Sequence, residues 1–269
     1  MTRATEEGRG SRIDGRAPGD LREISILRRC SRFAEGSALV DFGATRVLCT
    51  ASVEEKVPLF LRGSGKGWVT AEYSMLPRST EIRTPRDSVR GGISGRSHEI
   101  QRLIGRSLRA GTALELLGER TVWIDCDVLQ ADGGTRTAAI TGGFVALVDA
   151  LRWLFARRCV DTIPLKCFVA ALSVGKVDGE IVADLCYGED SRAEVDFNIV
   201  MNEFGDFIEV QGTAEGDVFS RKELVEMLDL AGSGISSLID IQKSSLGFTG
   251  EEERALAVAR DRIRQLEQK

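Results

Sequence analysis

"TVWIDCDVLQADGGTRTAAITGGFVALVDALRWLFARR" occupies residues 121–158 and reads as strand, loop and helix in one run. Val122, Ile124, Cys126 and Val128 alternate with Trp123, Asp125 and Asp127, the period of a half-buried strand. From Ala138 the chain is apolar nearly all round, the composition of a helix packed inside a domain, and the basic residues at its end suit a C-terminal dipole. Between the two, Gly133 and Gly134 permit backbone angles closed to other residues, Thr135 adds a hydroxyl and Arg136 a charged fork. A helix N-terminus opening there favours an anion. Gly-Gly before a helix is also ordinary turn geometry, so the loop alone establishes only that an anion fits.

Outward from this unit, "GSALVDFGATRVLCTASVE" (36–54) predicts a β-hairpin around a Gly-Ala-Thr turn. Residues 55–96 form a long glycine- and proline-punctuated stretch with one strand, "WVTAEYSML"; loops of this length are usually functional or mobile. Ser97 is the expected N-cap of a helix whose apolar face is Ile100, Leu103, Ile104, Leu108 and Leu114. The second half opens with a strand, "LKCFVAALSVGKV", followed by hairpin-like "GEIVADLCYGEDSRAEVDFNIVMNEFGDFIEVQGTAEG". Ser220 and Glu223 make a capping box for the next amphipathic helix, and "EEERALAVARDRIRQLEQK" reads as a charged surface helix. Strands and then helices thus occur twice with Pro164 near the junction, which predicts an α+β fold of two similar units packed as one body, without a residue-level repeat.

Composition narrows the chemistry. His98 is the only histidine of 269 residues, which excludes paired-histidine nucleases and histidine-rich metal sites. A Ser/His triad would have to use His98, which reads as a solvated helix residue. The six cysteines lie mostly in apolar runs with no Cys-x-x-Cys pair, the pattern of buried thiols rather than disulfides or zinc ligands. No segment approaches the ~18 apolar residues of a membrane span, and the expectation is a soluble cytoplasmic protein. Net charge is −5, yet residues 76–110 hold eight arginines (78, 83, 86, 90, 96, 102, 106, 109) against three acids, a local +5 that leaves −10 for the remainder. An arginine-dense segment on an acidic body suggests a localised polyanion site; a solvated helix face with a long loop explains the same pattern equally well for Arg102, Arg106 and Arg109.

A second constellation is acidic: Asp184, Glu189, Asp190, Glu194 and Asp196 in "DLCYGEDSRAEVDFN". Two carboxylates around one hard cation is how phosphoryl-transfer enzymes hold Mg²⁺. Six residues of extended strand span ~20 Å, so Asp190 and Asp196 share an ion only if "GEDSRAE" bends, with Asp190 in a turn and Asp196 on the following strand. "RGSGKGW" lacks the spacing and the Ser/Thr of a nucleotide P-loop.

"RIDGR" (12–16), "FLRGSGKGWVTAEYSMLPRST", "GRSHEIQRLIGRSLRA", "WIDCDVLQADGGTRTAAITG" and "EDSRAEVDFNIVM" together resemble the bacterial ribonuclease PH family, from about Arg12 to Phe248. The resemblance implies a duplicated βαβα fold related to a ribosomal protein domain, organised as a polar extension (1–11), a single ribonuclease PH domain (12–248) and a charged C-terminal helix (249–269). It implies a tRNA nucleotidyltransferase, a phosphorolytic 3′-5′ exoribonuclease in which inorganic phosphate attacks the 3′-terminal phosphodiester of tRNA precursors and other RNAs and releases nucleoside diphosphates. By position, phosphate binding falls to Arg96, Gly134, Thr135 and Arg136. Catalysis and the Mg²⁺ site fall to Asp190 and Asp196, and RNA grip to Arg78, Arg83 and Arg86. The related polynucleotide phosphorylase core has a lysine where this chain has Asn198, which argues against a catalytic Asn198. The expected assembly is a homohexamer, a trimer of dimers. The competing reading is a non-catalytic RNA-binding subunit of a ribonuclease ring, whose signature would be erosion of the Gly-Thr-Arg loop or of the aspartates.

Overall fold

The computed structural model describes residues 12–268 except 87, 88, 90 and 217. The extension 1–11 and Arg90 of the basic segment lie outside the described residues.

Five strands form the first sheet: β1 (Ile24–Arg28), β2 (Gly36–Phe42), β3 (Thr45–Glu54), β4 (Trp68–Met75) and β5 (Thr121–Gln130), in the order β1-β2-β3-β5-β4. β2 and β3 are the expected hairpin, with Phe42 opposite Thr45. The β5 alternation is observed, with Val122, Ile124, Cys126 and Val128 all buried. β4 runs parallel to β5, so helix α1 (Gly95–Gly111) is the crossover that a parallel pair requires.

The cap of α1 is Ser94, not Ser97. Ser94 accepts a hydrogen bond from the Ser97 N–H, and Gly95 and Arg96 fill the first turn. Apolar periodicity begins only at Ile100 and cannot register a polar first turn. Leu114 also leaves that helix: Thr112 bridges to Leu165 across the junction, and a short helix α2 (Leu114–Leu117) begins anew.

Helix α3 (Thr135–Ala156) is the spine of the molecule. It packs on β2, β3 and β5 on one side and on β6 (Val169–Val177) on the other. Close approach is possible because Gly142 has no side chain; a Cβ there would lie 2.6 Å from Val40 Cγ1. The expectation that no segment reaches membrane-span length is corrected here. By length and composition α3 is long and apolar enough to cross a bilayer, and 83% of its apolar stretch is buried inside the protein. Its small residues, Gly, Ala and Thr, hide that length from a count of large apolar side chains.

The second sheet is antiparallel, order β7-β6-β8-β9, with β7 (Glu180–Ala183), β8 (Val195–Asn202) and β9 (Phe207–Ala214). A one-turn helix α4 (Tyr187–Asp190) joins β7 to β8. Helix α5 (Arg221–Leu246) starts at the predicted Ser220–Glu223 capping box. A second box, Thr249 with Glu252, starts α6 (Gly250–Glu267), which buries Ala255, Leu256, Ala259 and Ile263. The fold is α+β, but the expected order of strands and then helices holds only for the second half, one-turn α4 aside; the first half returns to a strand, β5, between α1 and α3. The fully buried Gln242 of α5 ties the halves, donating to Thr141 O of α3 and Val169 O of β6, both at 3.0 Å.

Candidate active site

The start of α3 and the segment from α4 to β8 face one cavity of about 760 Å³. Of the sequence-predicted residues, Arg96, Gly134, Thr135, Arg136, Asp190 and Asp196 all line it. Arg78, Arg83 and Arg86 do not; they are exposed on the loop whose Thr80, Glu81, Ile82 and Thr84 form one wall.

The geometry of the loop suits an anion. Gly133 and Gly134 both take left-handed backbone angles, φ 75° and 63°. A Cβ on Gly133 would stand 2.5 Å from Leu185 O, so the loop lies tight against the segment leading into α4. Thr45 fixes it from behind, its hydroxyl donating to Gly133 O at 2.7 Å and accepting the Asp132 N–H at 2.8 Å. Gly134 is the N-cap of α3 and no side chain caps the helix, which leaves first-turn N–H groups for a ligand. The Thr135 hydroxyl lies 2.8 Å from the Tyr73 hydroxyl. Burial raises the Tyr73 pKa, keeping that phenol neutral and able to donate. Arg136 Nη1 donates to Gln211 Oε1 at 3.1 Å, and Gln211 in turn donates to Glu99.

Opposite lie the carboxylates. Asp190 ends α4 and Asp196 sits on β8, with the bend expected between them. Burial, then the charge of Asp190, pushes Asp196 up to about 6. Burial also raises Asp190, opposed by Arg136, Arg96 and Arg22. Asn198 Nδ2 donates to Asp196 Oδ2 at 3.3 Å, whereas Asp196 Oδ1 is buried with no hydrogen-bond partner. A buried, unpartnered carboxylate oxygen beside a second carboxylate is a donor set that suits a hard divalent cation. Among the described residues no group of three or more His, Cys, Asp and Glu clusters for a metal, so an ion held here would have two carboxylates and would take its other ligands from water or substrate oxygens. The cavity wall as a whole carries five acids (Glu81, Glu99, Asp190, Asp196, Glu215) against two arginines.

Tyr73, Ser173 and Gln211 escaped the sequence reading. Tyr73 carried a signal: it shares the inward face of β4 with Val69 and Ala71, and a buried phenol needs a polar partner. Ser173, buried on β6, and Gln211, on β9, reach the cavity through the sheet pairing of the second half, which local pattern does not specify. The basic segment divides: Arg106 pairs with Glu209 at 2.8 Å, and Arg109 lies over the Trp68 ring and donates to Val69 O.

An anion cradle facing paired carboxylates across two fused sheet-and-helix halves defines the class, and two family models match it: 3′ exoribonuclease family domain 1 over residues 20–152 and domain 2 over residues 167–234. Ribonuclease PH of Moorella thermoacetica is 61% identical over 236 residues, covering 88% of this chain and 94% of that protein. Ribonuclease PH of Syntrophomonas wolfei is 59% identical over 236 residues, covering 88% and 99%. This chain belongs to the ribonuclease PH family of 3′ exoribonucleases. Solved structures share the fold at lower identity. Rice Rrp46 aligns with TM-score 0.71 at 22% identity over 87% of this chain and all of that one. A chain of an Archaeoglobus fulgidus exosome with RNA bound to the active site aligns with TM-score 0.72 at 20% identity, covering 86% of this chain and 92% of that one.

Proposed function

We propose that this chain is a phosphate-dependent 3′-5′ exoribonuclease that trims tRNA precursors and other RNAs and releases nucleoside 5′-diphosphates. One observation carries the reading: the uncapped, arginine-flanked N-terminus of α3 shares a single cavity with the Asp190/Asp196 pair.

The reaction sets an anion against an anion, since hydrogen phosphate attacks the phosphorus of an RNA diester. Its oxygen forms the new P–O bond, the bond to the 3′-oxygen breaks, and the proton carried by phosphate ends on the released 3′-hydroxyl. Phosphate is nucleophilic near neutral pH and brings its own proton, so a histidine base is not required. Arg96, Arg136 and the α3 N–H groups hold the nucleophile and spread its charge. With Tyr73 as the donor in its hydroxyl contact with Thr135, the Thr135 proton would be free to point at a phosphate oxygen. Asp190 and Asp196 would hold Mg²⁺, which when bound screens the scissile phosphate and favours departure of the 3′-oxygen. Arg78, Arg83 and Arg86 are the RNA grip in this reading, supported by their exposure on the loop that forms one cavity wall.

Two further parts of the reading are a homohexameric ring and a cytoplasmic location. Exposed Phe204, Phe207 and Val210 on the β8–β9 hairpin support self-association, as does kinship with chains of multi-subunit exosomes. Six unpaired cysteines suit a reducing compartment.

The test is incubation of a short RNA with the protein, Mg²⁺ and phosphate, which should yield nucleoside diphosphates. Monophosphates formed without phosphate would mark a hydrolase instead. RNA binding without turnover in a single-turnover assay would mark a non-catalytic ring subunit. Arg136→Ala should weaken phosphate use by about 10- to 100-fold, the range for a charge-assisted hydrogen bond.

A further inference from the structure

Residues 12–22, which open with "RIDGR", carry no role in the chemistry above, yet they are tied to both sides of the cavity, Arg12 to Glu189 and Arg22 to Asp132. Arg12 is buried, and its Nε and Nη2 donate to the two carboxylate oxygens of Glu189 at 2.7 and 2.6 Å. Arg12 Nη2 also donates to Asp184 O at 3.1 Å, and Arg16 Nη2 to the same carbonyl at 3.0 Å. Asp184 is fully buried in a left-handed conformation, φ 54°. Its carboxylate takes three donors from one residue: the Arg22 backbone N–H, Nε and Nη2, at 2.8, 3.0 and 2.7 Å. The remaining Arg22 nitrogen, Nη1, donates to Asp132 O at 2.6 Å.

The ties to Glu189 and Asp132 each end one residue from a site residue, while those to Asp184 anchor the segment between them. Glu189 precedes Asp190, and Asp132 precedes the Gly133–Gly134 cradle. A one-turn helix such as α4 does not hold its own shape in water, so something else must fix the Asp190 backbone. We propose that segment 12–22 is a strap that sets the spacing between the carboxylate limb and the phosphate cradle, with Arg12 the positioning residue for Asp190 and Arg22 the positioning residue for the loop. Both positions need arginine, because only a planar fork spans two acceptors at once; lysine keeps the charge and loses the second contact. The inference rests on the functional reading above.

Arg12→Lys and Arg22→Lys, each in the full-length chain, test it through a split that general destabilisation would not produce. Arg12→Lys should raise the Mg²⁺ concentration for half-maximal activity about tenfold, the effect of losing a partner behind a metal ligand, with the phosphate KM unchanged. It should also weaken Mn²⁺ binding, followed by paramagnetic resonance without RNA. Arg22→Lys should raise the phosphate KM about tenfold and leave Mn²⁺ binding intact. Where Arg12→Lys does not fold, Glu189→Gln, which keeps an acceptor for the Cys186 N–H, should weaken Mn²⁺ binding in the same direction. Variants that lower the unfolding midpoint but leave Mn²⁺ binding and phosphate KM untouched, or move both together, overturn the strap. A wild-type enzyme indifferent to Mg²⁺ would instead overturn the two-carboxylate metal reading, and the Arg22→Lys phosphate KM would still judge the strap.

Discussion

Asp196→Asn should destroy turnover and stabilise the metal-free protein. Burial and the adjacent Asp190 push the Asp196 carboxyl from an ordinary 3.8 up to about 6, so the fold holds this proton more tightly than the unfolded chain does. Such a group costs nothing while both states are protonated. Stability is lost as pH rises from about 4 to 6 and the penalty then levels off at about 3 kcal/mol. An asparagine carries no charge and escapes that penalty, although its amide inherits the unpartnered Oδ1 position at about 1 kcal/mol or more. The net expectation at pH 7.5 in chelated buffer is a variant more stable by about 1–2 kcal/mol, read from urea unfolding at matched protein concentration. The gap should shrink as pH falls towards 4, and also when Mg²⁺ is added, since only the wild type gains from the ion. A variant no more stable than wild type at pH 7.5, or one whose advantage ignores pH, would refute the picture of a strained carboxylate kept for catalysis.

Three further outcomes follow from the same geometry. Gly134→Ala should raise the phosphate KM while sparing RNA binding, because alanine at φ 63° costs about 1–2 kcal/mol and its Cβ would lie 3.1 Å from Arg22 Nη2; an unchanged phosphate KM would remove the loop from the nucleophile site. Tyr73→Phe should raise the phosphate KM by roughly 2- to 10-fold, the worth of one neutral hydrogen bond, with RNA affinity unaltered; equal loss in both would point to a packing role. Replacing Arg78, Arg83 and Arg86 together by alanine should weaken RNA binding and flatten its salt dependence by about 0.7 per lost phosphate contact, and an unchanged slope would show that the loop does not grip RNA.

What was readable in the sequence is what is local. The β5 alternation, the Gly133–Gly134 loop, the α3 composition and the Ser220–Glu223 box each depend on residues within a turn or two of one another, and each stands as read. Sequence does not separate Ser94 from Ser97 as the cap, because two serines three apart compete for it and their hydroxyls lie 2.9 Å from each other. Asp184 belongs by sequence to the acidic constellation, yet it does not line the cavity; it is fully buried, held by an arginine 162 positions earlier. No periodicity carries a contact of that length. The parallel β4–β5 pairing is equally non-local, and it brings Tyr73 to Thr135.

The charge pattern shows why counting residues misleads. The arginine-dense segment suggested an excess of free cations, but Arg106 is spent on Glu209 and Arg109 on Trp68 and a backbone carbonyl. At the cavity itself the balance is reversed, with five acids against Arg96 and Arg136. A wall of that sign opposes the approach of phosphate and RNA, and a cation at the Asp190/Asp196 corner would offset it. In that corner one carboxylate oxygen is buried with no partner, and both carboxyls are already biased against ionisation. The acidic corner is the part of the wall where the proposed Mg²⁺ would offset the like charge of phosphate and RNA. The uncapped α3 N-terminus offers its donors independent of pH, because backbone N–H groups do not titrate.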